Sequence, residues 1–207
     1  MPPRVEGLYA VTPQCDDSER LLELAAAALA GGARVLQYRD KSGDAAHRLW
    51  QANLLAALCR SHRALFIVND DVELARRVGA DGVHLGRDDG DIAAARAALG
   101  PDAVIGASCY DQLALARQAM AAGASYVAFG AVFPSQTKPH AVAAPLSLFA
   151  EAAGLGANAV AIGGIAPDNA AQVIAAGADA VAVIGGLFDA PDAETAARAL
   201  ARLFTAR

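Results

Sequence analysis

"AGADAVAVIG" (176–185) places a Gly-Ala pair in front of a short alternating run of alanine and valine. The same shape recurs in "GGARVLQYR" (31–39), "VGADGVHLG" (78–86) and "AGASYVAFG" (122–130). Glycine suits the left-handed residue that ends a helix, and the apolar run after it reads as a strand. The alanines at 33, 80, 124 and 178 lie 47, 44 and 54 residues apart. Each interval is too long for one minimal strand-helix unit and about right for two. Three further apolar runs, "ALFIVN" (64–69), "AVIGAS" (103–108) and "AVAIGG" (159–164), fall between these segments, and "GLYAVT" (7–12) precedes them all. That makes eight strand candidates, apolar enough to be buried on both faces as in a parallel sheet. The stretches between, such as "DSERLLELAAAALAGG" and "DQLALARQAMAAG", have helical periodicity, an acidic start and a glycine stop. Strand-helix alternation repeated this often predicts a single α/β domain over residues 1–207, folded as a (β/α)8 TIM barrel. An open doubly wound sheet is the alternative, but no opening GxGxxG turn supports it.

Composition agrees with a packed barrel and excludes several classes. The 207 residues are 55% hydrophobic, with a formal charge of −5 and no basic stripe of the kind that binds nucleic acid. A membrane span is not expected either: the uncharged stretch 152–167 is broken by Gly154, Gly156, Gly163, Gly164 and Asn158. The start "MPPRVEGLYA" lacks the features of a signal peptide, and Cys15, Cys59 and Cys109 have no metal-ligand spacing. These features lead us to expect a reduced, cytoplasmic enzyme or binding protein.

Chemistry in this barrel sits on the loops after the strands. After the second strand, Gln37, Arg39 and Lys41 fall on one side of an extended run and suit a phosphate, although Asp40 or Asp44 could instead pair with the cations. Asn69, Asp70 and Asp71 end the third strand. Asp71 is placed to cap the next helix, which frees Asp70 as a hard-cation ligand. "HLGRDDGD" adds Asp88 and Asp89 as a second acidic source, while His84 reads better as a satisfied strand histidine than as a ligand. Two acidic loops beside a basic one suggest a diphosphate bound through Mg²⁺. Ser108 could bond a phosphate oxygen; Cys109 reads as a small buried thiol rather than a nucleophile. "FPSQTKPH" (133–140) is a polar loop in an apolar chain, and Ser135, Thr137 and Lys138 suit phosphate oxygens. His140 acquires no role. Gly163-Gly164 and Gly185-Gly186 follow the last two strands, where these barrels often hold phosphate; close packing is the competing reason for any one glycine. The rim thus carries two anion sites, one basic with acidic neighbours and one glycine-rich.

The ordered set "LYAVT", "QYRDK", "FIVNDDVELA", "GVHLGRDD", "IGASCYD", "YVAFGAVFPSQTKP", "AIGGIAPDN" and "AGADAVAVI" resembles the thiamine-phosphate synthase family along nearly the whole chain. The resemblance implies a (β/α)8 barrel that joins hydroxymethylpyrimidine diphosphate to hydroxyethylthiazole phosphate with Mg²⁺ and releases diphosphate. It implies that Gln37, Arg39, Lys41, Asn69, Ser108 and Lys138 meet the pyrimidine substrate and its diphosphate, with Arg39, Lys41, Ser108 and Lys138 carrying catalysis. It also implies that Asp70 and Asp89 hold the metal and that Ser135, Thr137, Gly164, Ile184 and Gly185 hold the thiazole phosphate. Ser135 stands where threonine is frequent, and Gly185 where serine is frequent. In the implied mechanism the pyrimidine methylene–oxygen bond breaks first and the thiazole nitrogen captures the cation, so no protein nucleophile is needed. A homo-oligomer is compatible with the sequence. The rivals are a thiazole tautomerase-like relative and a non-catalytic barrel that binds phosphorylated metabolites.

Overall fold

In a computed structural model, residues 2–87, 89–134 and 143–205 are described. The strands are β1 (Gly7–Val11), β2 (Val35–Tyr38), β3 (Leu65–Asn69), β4 (Gly82–Leu85), β5 (Val104–Tyr110), β6 (Tyr126–Phe129), β7 (Ala159–Ile162) and β8 (Ala180–Val183). Each pairs in parallel with its neighbour in sequence, and β8 returns to pair with β1. The sheet is therefore a closed (β/α)8 barrel, and the open-sheet alternative is excluded. Between the strands run α1 (Ser18–Ala30), α2 (Ala45–His62), α3 (Val72–Val78), α4 (Ile92–Leu99), α5 (Leu113–Ala121), α6 (Ser147–Gly154) and α7 (Ala170–Ala175). A one-turn α8 (Gly185–Phe188) and the longer α9 (Ala193–Thr205) follow β8. No helix among the described residues is long and apolar enough to cross a membrane.

The Gly-Ala echo has a mechanical explanation. Gly32, Gly79, Gly123 and Gly177 have φ of 104°, 61°, 97° and 109°, the left-handed conformation that closes a Schellman motif. The alanine after each donates its N–H five residues back, to Ala28, Ala75, Ala119 and Val173 respectively. The residue after the alanine then joins the preceding strand: Asp81, Ser125 and Asp179 accept from the amides of Phe66, Ile105 and Ala159 through their side chains. Gly-Ala-Asp or Gly-Ala-Ser is thus a complete device for turning from helix to strand. Two more helices end the same way, α6 at Gly156-Ala157 and α2 at Arg63-Ala64, with Arg63 itself left-handed at φ 57°. Helix starts are more varied than expected. Asp17, Asp44, Asp71 and Asp91 cap α1 to α4 through their carboxylates. Asp111 does not cap α5, whose first turn is preceded by Gln112 with no side-chain cap.

Alternation along each strand divides the core in two. Leu8, Leu36, Phe66, Val83, Ile105, Val127 and Val181 face the helices, while Tyr9, Val35, Ile67, Val104, Tyr126 and Val160 fill the barrel. The large inward ring of Tyr126 fits because a glycine lies beside it: a Cβ at Gly106 would fall 2.0 Å from that ring. At Gly82 it would fall 1.7 Å from the Val104 carbonyl oxygen, a backbone atom of the next strand. We therefore expect Gly82→Ala to lower stability by roughly 3 kcal/mol or more in urea denaturation, because a ladder must shift to admit one methyl. Gly154→Ala, where a Cβ meets nothing within 4 Å, should be neutral or stabilising by up to about 1 kcal/mol. Equal effects at the two positions would contradict this packing.

Candidate active site

The carboxyl ends of the strands open into one cavity of about 920 Å³. Gln37 lies inside β2, buried, and Arg39 and Lys41 follow it along the cavity wall. Their backbone is held from β1's loop: the Arg39 amide donates to Thr12 Oγ1 at 2.9 Å and the Lys41 amide to Gln14 Oε1 at 2.9 Å. Neither cation is neutralised by its acidic neighbours. Asp40 accepts from Gln14 Nε2, from the amide and hydroxyl of Ser42 and from Tyr38. Its partial burial opposes ionisation, yet these donors prevail and hold its carboxyl below the usual range. Asp44 is occupied as the cap of α2. Lys41 points instead at Asp70, with Nζ 3.6 Å from Oδ2.

The adjacent aspartates on the next loop divide their labour as expected. Asp71 accepts from the Leu74 amide at 2.8 Å and pairs with Arg48 at 2.9 Å. Asp70, with φ 64°, turns toward the cavity, where Asn69 Nδ2 donates to its Oδ2 at 2.6 Å. Its carboxyl is pushed above the usual range, first by burial and then by the charge of Asp89 and a hydrogen bond with it, against the pull of Lys41. Two carboxylates crowded together in this way fit a divalent cation, which would relieve their repulsion. Among the described residues no three His, Cys, Asp or Glu converge as a metal cage. Two protein carboxylates with the remaining positions left to substrate oxygens and water is the usual arrangement for Mg²⁺. Asp88 lies outside the described residues.

Ser108 faces the cavity from β5, next to a bulge that ends with Tyr110 at φ 53°. Cys109 turns outward and is buried, and that burial pushes its thiol up to about 12, so it is an inert packing residue. On the far side of the cavity stand Gly163, Gly164, Ile184, Gly185 and Gly186. Packing accounts for three of these glycines. A Cβ would fall 2.5 Å from Ala131 at Gly163, 2.5 Å from the Pro134 carbonyl at Gly164 and 2.2 Å from the Ile165 carbonyl at Gly186. At Gly185 the near atom is Asp189 Oδ2 at 2.8 Å, the end of a movable side chain. Ser135, Thr137, Lys138 and His140 lie outside the described residues.

Sequence reasoning missed the floor of the cavity. Gln37 Nε2 donates to Tyr9 Oη at 2.7 Å, Tyr9 Oη meets Tyr126 Oη at 2.8 Å, and Tyr126 Oη meets His84 Nδ1 at 2.9 Å. His84 Nε2 meets Ser108 Oγ at 2.9 Å. His84 is thus the satisfied strand histidine that was expected, but it is a link in a chain that runs from Gln37 to Ser108. The period-two alternation of β1 and β6 could have placed both tyrosines inside; nothing in the sequence says that they touch. A second cavity of about 580 Å³ lies at the opposite end of the barrel, beside Glu6, Arg34 and Asp179. There Arg34 pairs with Glu6, and Asp179 pairs with Arg4.

A parallel eight-stranded barrel with a cationic wall, a carboxylate pair and glycine turns around one cavity belongs to the phosphate-handling (β/α)8 barrels. Comparison with known proteins narrows this. The family model described as "Thiamine monophosphate synthase" matches residues 8–187. The thiamine-phosphate synthase of Chromobacterium violaceum is 78% identical over 207 residues, covering 100% of both chains. That of Methylobacillus flagellatus is 59% identical, covering 98% of this chain and 97% of its own. The solved thiamine phosphate pyrophosphorylase of Pyrococcus furiosus superposes with a TM-score of 0.84 at 34% identity, covering 97% of this chain and 96% of that one. The chain belongs to the thiamine monophosphate synthase family.

Burial holds His84 neutral, pushing its pKa from 6.5 down to about 4. A depressed histidine gives its full contribution above 6.5, where folded and unfolded chains are both neutral, and loses it as the pH falls and only the unfolded chain takes the proton. From about pH 7 to about pH 4.5 the wild type should lose roughly 2 kcal/mol more stability than His84→Gln in chemical denaturation. Parallel pH profiles for the two proteins would contradict a buried neutral imidazole.

Proposed function

We infer that the chain catalyses the reaction of its family, joining hydroxymethylpyrimidine diphosphate to hydroxyethylthiazole phosphate to give thiamine phosphate and diphosphate. The observation that carries this reading is the polarity of the cavity. One wall has Arg39, which forms no ion pair with a described residue, and the Lys41–Asp70–Asp89 cluster, and the opposite wall has glycine backbone at the ends of β7 and β8. Two phosphorylated substrates can bind there at once, one to each wall. The cations suit a diphosphate, and uncapped N–H groups at glycine turns suit a monophosphate.

In this reading Asp70 and Asp89 hold Mg²⁺, which would supply positive charge to the diphosphate as it departs. Arg39 and Lys41, with Lys138, bind the diphosphate oxygens and stabilise the charge that develops on them. Gln37, Asn69 and Ser108 orient the pyrimidine. Gly164, Ile184 and Gly185, with Ser135 and Thr137, anchor the thiazole phosphate so that the ring nitrogen lies within reach of the methylene carbon. No side chain acts as a nucleophile, in keeping with a Cys109 thiol that is buried and protonated. Gly185 replaces the family's frequent serine, and Asp189 lies against the space that serine would occupy. We take residues 1–207 as one catalytic domain acting in the cytoplasm; Cys15, Cys59 and Cys109 are all unpaired, which suits a reducing compartment.

A tautomerase acting on the thiazole alone has no use for the Arg39, Lys41 and Asp70 wall, and a silent binding barrel releases no product. Diphosphate should therefore appear only when both substrates and Mg²⁺ are present. Asp70→Ala should lower turnover on the order of 100-fold or more while leaving thiazole-phosphate affinity within about twofold of wild type. Undiminished turnover of that variant at limiting Mg²⁺, or no diphosphate from the folded wild type, contradicts the assignment.

A further inference from the structure

Asp70 and Asp89 follow β3 and β4, and the cations of β2, Arg39 and Lys41, stand on one side of them. A third cation lines the same cavity on the other side. Arg87 follows β4 and reaches toward the carboxyl end of β5, where its guanidinium carbon lies 4.7 Å from the centroid of the Tyr110 ring. It forms no ion pair with a described residue, Asp89 and Asp111 included. The Asp89 carboxylate instead folds back over Gly86, where a Cβ would fall 2.2 Å from Oδ2. The ring beneath Arg87 is set there by an unusual backbone. β5 has a bulge between Ser108 and Tyr110, and Tyr110 has φ 53°, a left-handed conformation that a bulky residue seldom adopts. A bulge re-aims the side chain beside it, and here the Tyr110 ring lines the cavity. The turn is fixed from two directions, by the Gly130 amide donating to the Tyr110 carbonyl at 3.0 Å and the Gln112 amide to the Cys109 carbonyl at 2.9 Å. Backbone strain maintained in this way gathers at binding sites.

We propose that Arg87 is a further diphosphate-binding residue and that Tyr110 is the positioning residue that holds it. An aromatic face attracts a guanidinium but offers it no oxygen lone pair. The ring therefore restrains Arg87 over the cavity and leaves its N–H groups to be won by phosphate oxygens, whose charge-assisted hydrogen bonds are the stronger contact. The proposal rests on the reading that Asp70 and Asp89 hold a metal-bound diphosphate, and it adds a cation on the β5 side. A diphosphate at the two acids is then met by Arg39 and Lys41 on one flank and by Arg87 on the other. The glycine wall at β7 and β8 takes no part.

The test is calorimetric binding of inorganic diphosphate, with Mg²⁺, to the wild type, Arg87→Gln, Tyr110→Asn and the double variant. Arg87 is exposed, and asparagine tolerates the left-handed backbone at 110, so both variants should fold. Arg87→Gln should weaken diphosphate about tenfold or more. Tyr110→Asn should weaken it about threefold, and Tyr110→Phe, which keeps the ring face, should match the wild type. In the double variant the loss should equal that of Arg87→Gln alone, because a missing ring then has no cation to position. Affinity for hydroxyethylthiazole phosphate should stay within about twofold throughout. Wild-type diphosphate affinity in Arg87→Gln overturns the proposal, and so does equal weakening of both ligands, which marks a structural effect. Additive losses in the double variant overturn the role given to Tyr110. A folded wild type that binds no diphosphate with Mg²⁺ refutes the reading of the acidic wall itself, an outcome visible before any variant is made.

Discussion

Closing eight short parallel strands into a ring leaves no edge to solvate, so each inward side chain must either be apolar or find a partner inside the barrel. Most of the structure depends on how this is met. Toward the amino ends of the strands the solution is volume: valine and isoleucine beside glycine and alanine, with Gly82 and Gly106 admitting what a Cβ would exclude. Toward the carboxyl ends the interior turns polar, and the constraint becomes one of hydrogen bonds. Tyr9 and Tyr126 stand at the change, their rings in the apolar core and their hydroxyls in the chain that reaches Gln37 and Ser108. The floor of the cavity is thus a continuation of the barrel core.

The rim follows a different physics. Cations and carboxylates there are partly solvated, and their arrangement is decided by which groups already have partners. Asp40, Asp44 and Asp71 are each satisfied locally, by neutral donors, by α2 and by α3 with Arg48. Among the described residues Arg39, Lys41, Asp70 and Asp89 then face the cavity together, and the Asp70 carboxyl is raised first by burial and then by Asp89, against the pull of Lys41. In the proposed reading a divalent cation and a diphosphate together would complete this site.

Much of this was legible in the sequence. Gly-Ala followed by an apolar run located the even-numbered strands, because only a left-handed residue can end a helix and turn the chain into a strand so sharply. Arg63 performs the same turn without glycine, which is why the end of α2 carried no such signal. The division between Asp70 and Asp71 was readable from position alone, since a cap must directly precede its helix. The glycine pairs were visible but their meaning was mixed: Gly163, Gly164 and Gly186 are required by backbone contacts, and Gly185 alone has a movable neighbour. Contacts across the barrel were not legible. Tyr9 and Tyr126 are 117 residues apart, and their meeting depends on the register of eight strands rather than on any local pattern. The same holds for His84 and Ser108.

The central claim is that one cavity holds two anion sites on opposite walls, one dependent on a divalent cation and one not. Titrating hydroxyethylthiazole phosphate into the protein already saturated with diphosphate and Mg²⁺, and again after chelation, tests it directly. The account predicts one thiazole-phosphate site in both conditions with nearly equal affinity, and diphosphate binding that is lost with the metal. Competition between the two ligands for a single site would contradict it.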